Sequence, residues 1–169
     1  MTSFMSYREE YYKLIEKLRR ISIEFYEDRL VTIAIFGSVA KDTFRPDSDI
    51  DILIVAENLP KGRIKRVAEF EENIENRLSE DFRMMASNNI YPYISPVFKT
   101  MEEVKLGSPL FLDMTEDVKI LYDRDNFFLN YISDLKTRLN KLGSKKVQFK
   151  GGYYWLLKPD YKPGDIIEL

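Results

Sequence analysis

Phe36-Gly37-Ser38-Val39-Ala40-Lys41-Asp42-Thr43-Phe44-Arg45-Pro46-Asp47-Ser48-Asp49-Ile50-Asp51-Ile52-Leu53-Ile54-Val55 is the stretch on which the fold turns. Asp49 and Asp51 open an apolar β-branched run, and on a strand residues two apart point to the same face. Two carboxylates held that close repel, and a divalent cation removes the conflict. Oxygen ligands of this kind suit Mg²⁺ or Mn²⁺. Ile50, Ile52 and Ile54 face the other way, into a core that fixes the pair. Gly37-Ser38 closes the run before it. Glycine lets a phosphate approach the backbone, and the serine hydroxyl with adjacent N–H groups can hold phosphate oxygens.

Working outward, Val31–Phe36 reads as a buried strand and Ile50–Ala56 as a second. Ser38–Asp42 is a helical turn, and Phe44–Ser48 is a loop by its proline and small polar residues. Before the first strand, Phe4, Tyr7, Tyr11, Leu14, Ile15, Leu18, Ile21 and Phe25 recur at helical spacing, predicting one helix over Ser3–Arg29. That aromatic helix reads as core or as a homodimer seam. Residues 63–85 predict a second long helix. Arg63, Lys65 and Arg66 at its start read as a solvated face in preference to an anion site. A third strand spans Tyr91–Lys99, with Pro92 and Pro96 arguing for an edge. A helix over Ser108–Glu116, a fourth strand over Val118–Tyr122 and a last helix stopped by Gly143 follow. The fold class is α/β in the α+β sense, a small mixed sheet of about four strands flanked by long helices.

Composition narrows the chemistry. The 169 residues contain no Cys and no His, which removes disulfides, thiolate zinc sites, cysteine nucleophiles and histidine bases. Acid–base and metal chemistry must run on Asp, Glu, Lys and Tyr. The formal charge of −2 gives no global signal for nucleic acid, which is not favoured as a partner. No apolar run approaches the roughly 20 residues that span a bilayer. The charged N-terminal segment does not read as a signal peptide, so the expectation is a cytoplasmic protein.

The quoted stretch closely resembles the polymerase-β-like nucleotidyltransferase superfamily, above all its small single-domain prokaryotic and archaeal members. Gly37, Ser38, Ala40, Lys41, Pro46, Ser48, Asp49 and Asp51 fall on the signature, with Asp49 twelve positions after Gly37. Asp42 departs from it, standing where many relatives carry glycine. The resemblance implies transfer of a nucleoside monophosphate from an NTP, with ATP expected, to an acceptor hydroxyl. It implies Asp49 and Asp51 as catalytic metal ligands, and Gly37, Ser38, Lys41 and Ser48 as nucleotide-binding residues. Small relatives often pair with a helical, toxin-like partner protein that the transferase modifies. The expected boundaries are residues 1–143 for the domain with its N-terminal helix and 144–169 for a C-terminal extension.

Catalytic members carry a third carboxylate on a later strand, and Ser95 is the match here. Three alternatives follow: a two-carboxylate site, an acid such as Asp113 or Asp117 reaching in, or a non-catalytic nucleotide- or partner-binding module, antitoxin-like, that kept the fold. Asp113 reads first as an exposed acid on its helix. Arg45 reads as a solvated loop charge. In the extension, Lys145, Lys146, Lys150, Lys158 and Lys162 alternate with Phe149, Tyr153, Tyr154, Trp155 and Tyr161. Basic residues between stacking aromatics suit a nucleotide or single-strand platform. The favoured reading is that the aromatics pack the extension onto the domain while the lysines stay solvated.

Overall fold

The computed structural model describes residues 6–167. The helices are α1 (Tyr7–Tyr26), α2 (Gly37–Ala40), α3 (Arg63–Asn73), α4 (Ser79–Ser87), α5 (Met101–Lys105), α6 (Leu110–Met114) and α7 (Phe127–Leu142). The strands are β1 (Leu30–Phe36), β2 (Asp49–Ala56), β3 (Tyr93–Lys99), β4 (Lys119–Asp123), β5 (Lys145–Phe149) and β6 (Gly152–Leu156). The first four form one sheet in the order β3-β2-β1-β4. β2 is parallel to β3 and antiparallel to β1, so the sheet is mixed as expected. β3 lies at an edge, the position in a sheet where a proline such as Pro96 is tolerated.

Alternation along β2 divides the core into two layers. Ile50, Ile52 and Ile54 pack with Tyr11, Leu14, Leu18 and Ile21 of α1 and with Phe70 and Met85 of α3 and α4. Leu53 and Val55 pack with Val104, Phe111, Met114 and the Phe128, Ile132, Leu135 and Leu139 stripe of α7. The apolar stripe of α1 is thus spent on this chain's own core.

Ser6 caps α1 in a reciprocal box with Glu9. The proposed earlier start, including Ser3 and Phe4, lies outside the described residues. At the other end the helix stops at Tyr26, and Glu27 at φ 49° breaks it before Arg29. The single long helix expected over 63–85 is two helices. The chain leaves helical geometry at Ile74 (φ −122°, ψ −62°), and Glu75–Leu78 forms a 3-10 turn. Asn73 donates its side-chain amide to the Glu69 carbonyl at 2.8 Å, beside that break. Ile74 and Leu78 are both fully buried, which the break permits. The helix expected over Ser108–Glu116 shortens to Leu110–Met114. No helix among the described residues is long and apolar enough to cross a membrane.

Candidate active site

Antiparallel pairing sets Phe36, the last residue of β1, opposite Asp51 of β2. Gly37 then turns the chain into α2 at φ +67°, a conformation L side chains rarely adopt. A Cβ built on Gly37 would overlap Oδ2 of Asp51 and lie 3.1 Å from its Cγ. The glycine is therefore the condition for backbone and carboxylate to meet. Asp49 is exposed and Asp51 half-buried. Burial and the neighbouring Asp49 charge raise the Asp51 pKa above the usual carboxylate value, against a hydrogen bond from Ser95. Parallel pairing places Ser95 directly opposite Asp51, with Tyr93 opposite Asp49. Among the described residues, no group of three or more acids is gathered for a metal.

The loop between α2 and β2 is held by the tyrosines of α1. Phe44 is buried among Tyr7, Tyr11 and Tyr12, with ring centroids at 5.7, 4.8 and 6.0 Å. The Tyr7 and Tyr11 hydroxyls donate to the carbonyls of Phe44 and Ser48 at 3.1 and 2.8 Å. Burial pushes the Tyr11 phenol up to about 12. Asp42 has φ 59°, which explains why glycine suits that position, and its carboxylate accepts from Arg8 and Tyr12. The sequence pattern placed Tyr7 and Tyr11 on the apolar stripe of the helix but missed this second duty, and it did not single out Tyr12.

The structure distributes the predicted binding residues unequally. Gly37, Lys41 and Asp51 line one cavity of about 190 Å³ together with Phe36, Leu110, Asp113, Met114, Asp117 and Tyr153. The Ser48 hydroxyl accepts from the Arg45 N–H at 2.8 Å, so it orders the loop. Ser38 accepts the Thr43 N–H at 3.0 Å through its carbonyl. Arg45 pairs with Asp47 at 3.3 Å and its side chain stays 77% exposed. A larger cleft of about 470 Å³ lies at the far end of the parallel strands, beside Phe98 and Lys99. There Arg66, expected on a solvated face, forks onto Glu103 at 2.7 and 3.0 Å and donates to the Pro60 and Phe98 carbonyls. Size alone would misplace the chemistry, because that cleft contains none of the Gly37–Asp51 residues.

Asp113 differs from its expected role as an exposed acid. Its carboxylate accepts from Tyr153 Oη at 2.6 Å and Trp155 Nε1 at 3.1 Å, and pairs with Lys146 at 3.0 Å. Burial alone would raise its pKa, but these three donors together hold it below the usual range. β5 and β6 form an antiparallel hairpin in which Lys146 pairs with Trp155 and Gln148 with Tyr153. That face carries the Asp113 contacts, and Trp155 and Leu157 join the α7 core layer. Lys146 is not solvated: its side chain is 16% exposed and bridges Asp113 and Glu116. Phe149, Tyr154 and Tyr161 remain exposed.

The family described as nucleotidyltransferase domain matches residues 11–105, a span that holds the Gly37 turn, the Asp49–Asp51 pair and Ser95. The chain belongs to that family. It is also 34% identical over 134 residues to a protein of Methanocaldococcus jannaschii whose name gives protein adenylyl transfer as a conjecture, covering 76% of this chain and 82% of that one. Solved structures with related folds include a toxin–antitoxin pair with AMP-PNP (20% identity, 78% and 91% covered, TM-score 0.42). Another is spectinomycin adenyltransferase of Enterococcus faecialis with ATP and spectinomycin (15% identity, 77% and 67% covered, TM-score 0.47). At these TM-scores neither bears on the substrate of this nucleotidyltransferase. The family assignment makes it an enzyme of nucleoside monophosphate transfer.

Proposed function

We propose that this nucleotidyltransferase moves AMP from ATP to a hydroxyl of a protein acceptor, using Asp49, Asp51 and the Gly37–Lys41 turn. The observation that carries the reading is the contact of the Gly37 backbone with the Asp51 carboxylate. It sets a phosphate-accessible turn against one member of the acid pair, with Asp49 two residues before it on the same strand. The donor set fits a hard divalent cation such as Mg²⁺: two carboxylates side by side, one with its pKa raised by burial and by the other's charge. When bound, that cation supplies charge neutralisation at the α-phosphate and orients it for displacement. Its remaining ligands would be phosphate oxygens and water.

The chain's own residues do the rest. The N–H groups of the Gly37–Ala40 turn and the Lys41 ammonium hold the phosphates beyond the α position, which leave as pyrophosphate. The tyrosines of α1 keep the turn and loop from shifting under that load. Ser95 orients Asp51 by hydrogen bonding without adding charge. Asp113 is occupied by the hairpin and held ionised at low pKa, which makes it a poor base. Asp117 lines the same cavity and has no side-chain hydrogen bond or ion pair among the described residues, so it is assigned the acceptor's proton. The protein acceptor rests on the name of the M. jannaschii relative.

Incubation with Mg²⁺, ATP radiolabelled at the α-phosphate and a peptide array presenting Ser, Thr and Tyr hydroxyls tests this reading. Label enters peptides with the wild-type chain and is lost in Asp49→Ala/Asp51→Ala. Mg²⁺-dependent ATP binding without transfer to any hydroxyl would instead favour a nucleotide-binding module.

A further inference from the structure

The cavity that contains Gly37, Lys41 and Asp51 is closed by a residue far outside the family's matched span of 11–105: Tyr153, on β6. We infer that the C-terminal hairpin completes the nucleotide site, with Tyr153 touching the sugar–phosphate portion of the bound nucleoside triphosphate and Lys146 and Asp113 acting as positioning residues.

The placement is built, with several contacts holding it. Three side chains of one hairpin face converge on Asp113, whose helix α6 also supplies Leu110 and Met114 to the cavity wall. Trp155 anchors the hairpin in the core layer shared with Phe111 and Phe128. Tyr153 spends its hydroxyl on Asp113 and one side of its ring on the Lys146 ammonium, 3.9 Å from the ring centroid. The side chain nevertheless remains 44% exposed, and it lines the cavity.

The occupant follows from the rest of the lining. A ligand that fills the cavity touches Gly37, Lys41 and Tyr153 together, and the first two are suited to phosphate. At about 190 Å³ the cavity is smaller than the usual several hundred Å³ of a whole-ligand pocket, so the phosphate and sugar enter while the base extends over the rim. Charge makes the same point. Asp51, Asp113 and Asp117 line this wall, with Glu116 beside them, and unscreened they would repel a triphosphate. Lys146 bridges Asp113 and Glu116 at 3.0 and 2.9 Å and offsets one unit of that negative charge, shared between the two carboxylates.

The inference rests on the nucleotidyl-transfer reading, and the test separates the two. Binding of a non-hydrolysable ATP analogue with Mg²⁺ is measured calorimetrically on the full chain. Tyr153→Ala is expected to weaken it about tenfold, the scale of one lost aromatic contact, and Tyr153→Phe, which keeps the ring, much less. Lys146→Met is expected to weaken the analogue but not adenosine, a difference that a merely structural lysine would not produce. Hydrogen exchange of the β5–β6 amides in the wild-type chain is expected to slow when the analogue binds, and this readout needs no variant to fold. Binding that depends on Asp49 and Asp51, with unchanged affinity in Tyr153→Ala and unchanged hairpin exchange, overturns the hairpin assignment alone. No binding by the wild-type chain overturns both readings.

Discussion

The Gly37 backbone and the Asp51 carboxylate are so close that no side chain fits between them. Gly37→Ala meets two obstacles, a positive φ and an overlap with Oδ2. The expected cost is about 1–3 kcal/mol of stability, read by denaturant unfolding. Transfer activity is expected to fall further than stability does, because the relief available to the alanine is to push Asp51 aside. A folded Gly37→Ala variant with full activity would separate the turn from the acid pair.

Ser95 stands opposite Asp51 on the neighbouring strand, so position 95 can test how many carboxylates the site uses. Ser95→Asp adds a third acid to the pair. Mn²⁺ binding, followed by calorimetry, is expected to tighten about tenfold, since ligand charge count sets affinity at such sites. Without the cation, the same variant is expected to melt below the wild type through like-charge repulsion. An unchanged Mn²⁺ affinity would mean that position 95 does not address the metal pair.

Acid is expected to release the hairpin from its anchor. The folded-state Asp113 pKa lies below its ordinary value, so the stabilisation from Tyr153, Trp155 and Lys146 is fully present above the unfolded carboxylate pKa of about 4. It is lost as pH falls through the lower folded-state value. Trp155 is the chain's single tryptophan and touches Asp113, so its fluorescence reports this step. Asp113→Asn is expected to abolish the acid-dependent change near that pKa; a change of the same size in the variant would place its source elsewhere.

Arg66 gives a control away from the chemistry. It binds Glu103 through both nitrogens of its fork, donates to the Pro60 carbonyl and the Phe98 carbonyl of β3, and is 12% exposed in its side chain. Arg66→Ala is expected to cost about 1–3 kcal/mol, the scale of hydrogen bonds to charged groups. At a temperature where the variant is folded, its affinity for the ATP analogue is expected to match that of the wild type. A tenfold loss there would make the larger cleft part of the nucleotide site.

Much of this was legible in the sequence, for physical reasons that differ between residues. The Ile50, Ile52, Ile54 alternation states a strand, and its period then places Asp49 and Asp51 on one face. The helix break at Ile74 was not legible, because Ile74 and Leu78 fit an unbroken apolar stripe and only their burial in the tertiary core selects the kink. Asp42 looked like a departure from the family pattern. Its positive φ and its bonds to Arg8 and Tyr12 show how an aspartate can keep a glycine's backbone. The Asp113 contacts join α6 to the β5–β6 hairpin over about 30–40 positions of sequence, a pairing no local period encodes. The one local signal was the mixture of lysines and aromatics in the extension.

The role proposed for Asp49 and Asp51 is transfer of the nucleoside monophosphate and not of the terminal phosphate. Parallel reactions with ATP labelled at the α- or the γ-phosphate, with wild-type protein and Asp49→Ala/Asp51→Ala, measure this most directly. Acceptor labelling is expected from α-labelled ATP alone, with release of the γ-label as pyrophosphate and loss of both in the double variant. Acceptor labelling from γ-labelled ATP, or α-label transfer undiminished by the double substitution, would contradict that role.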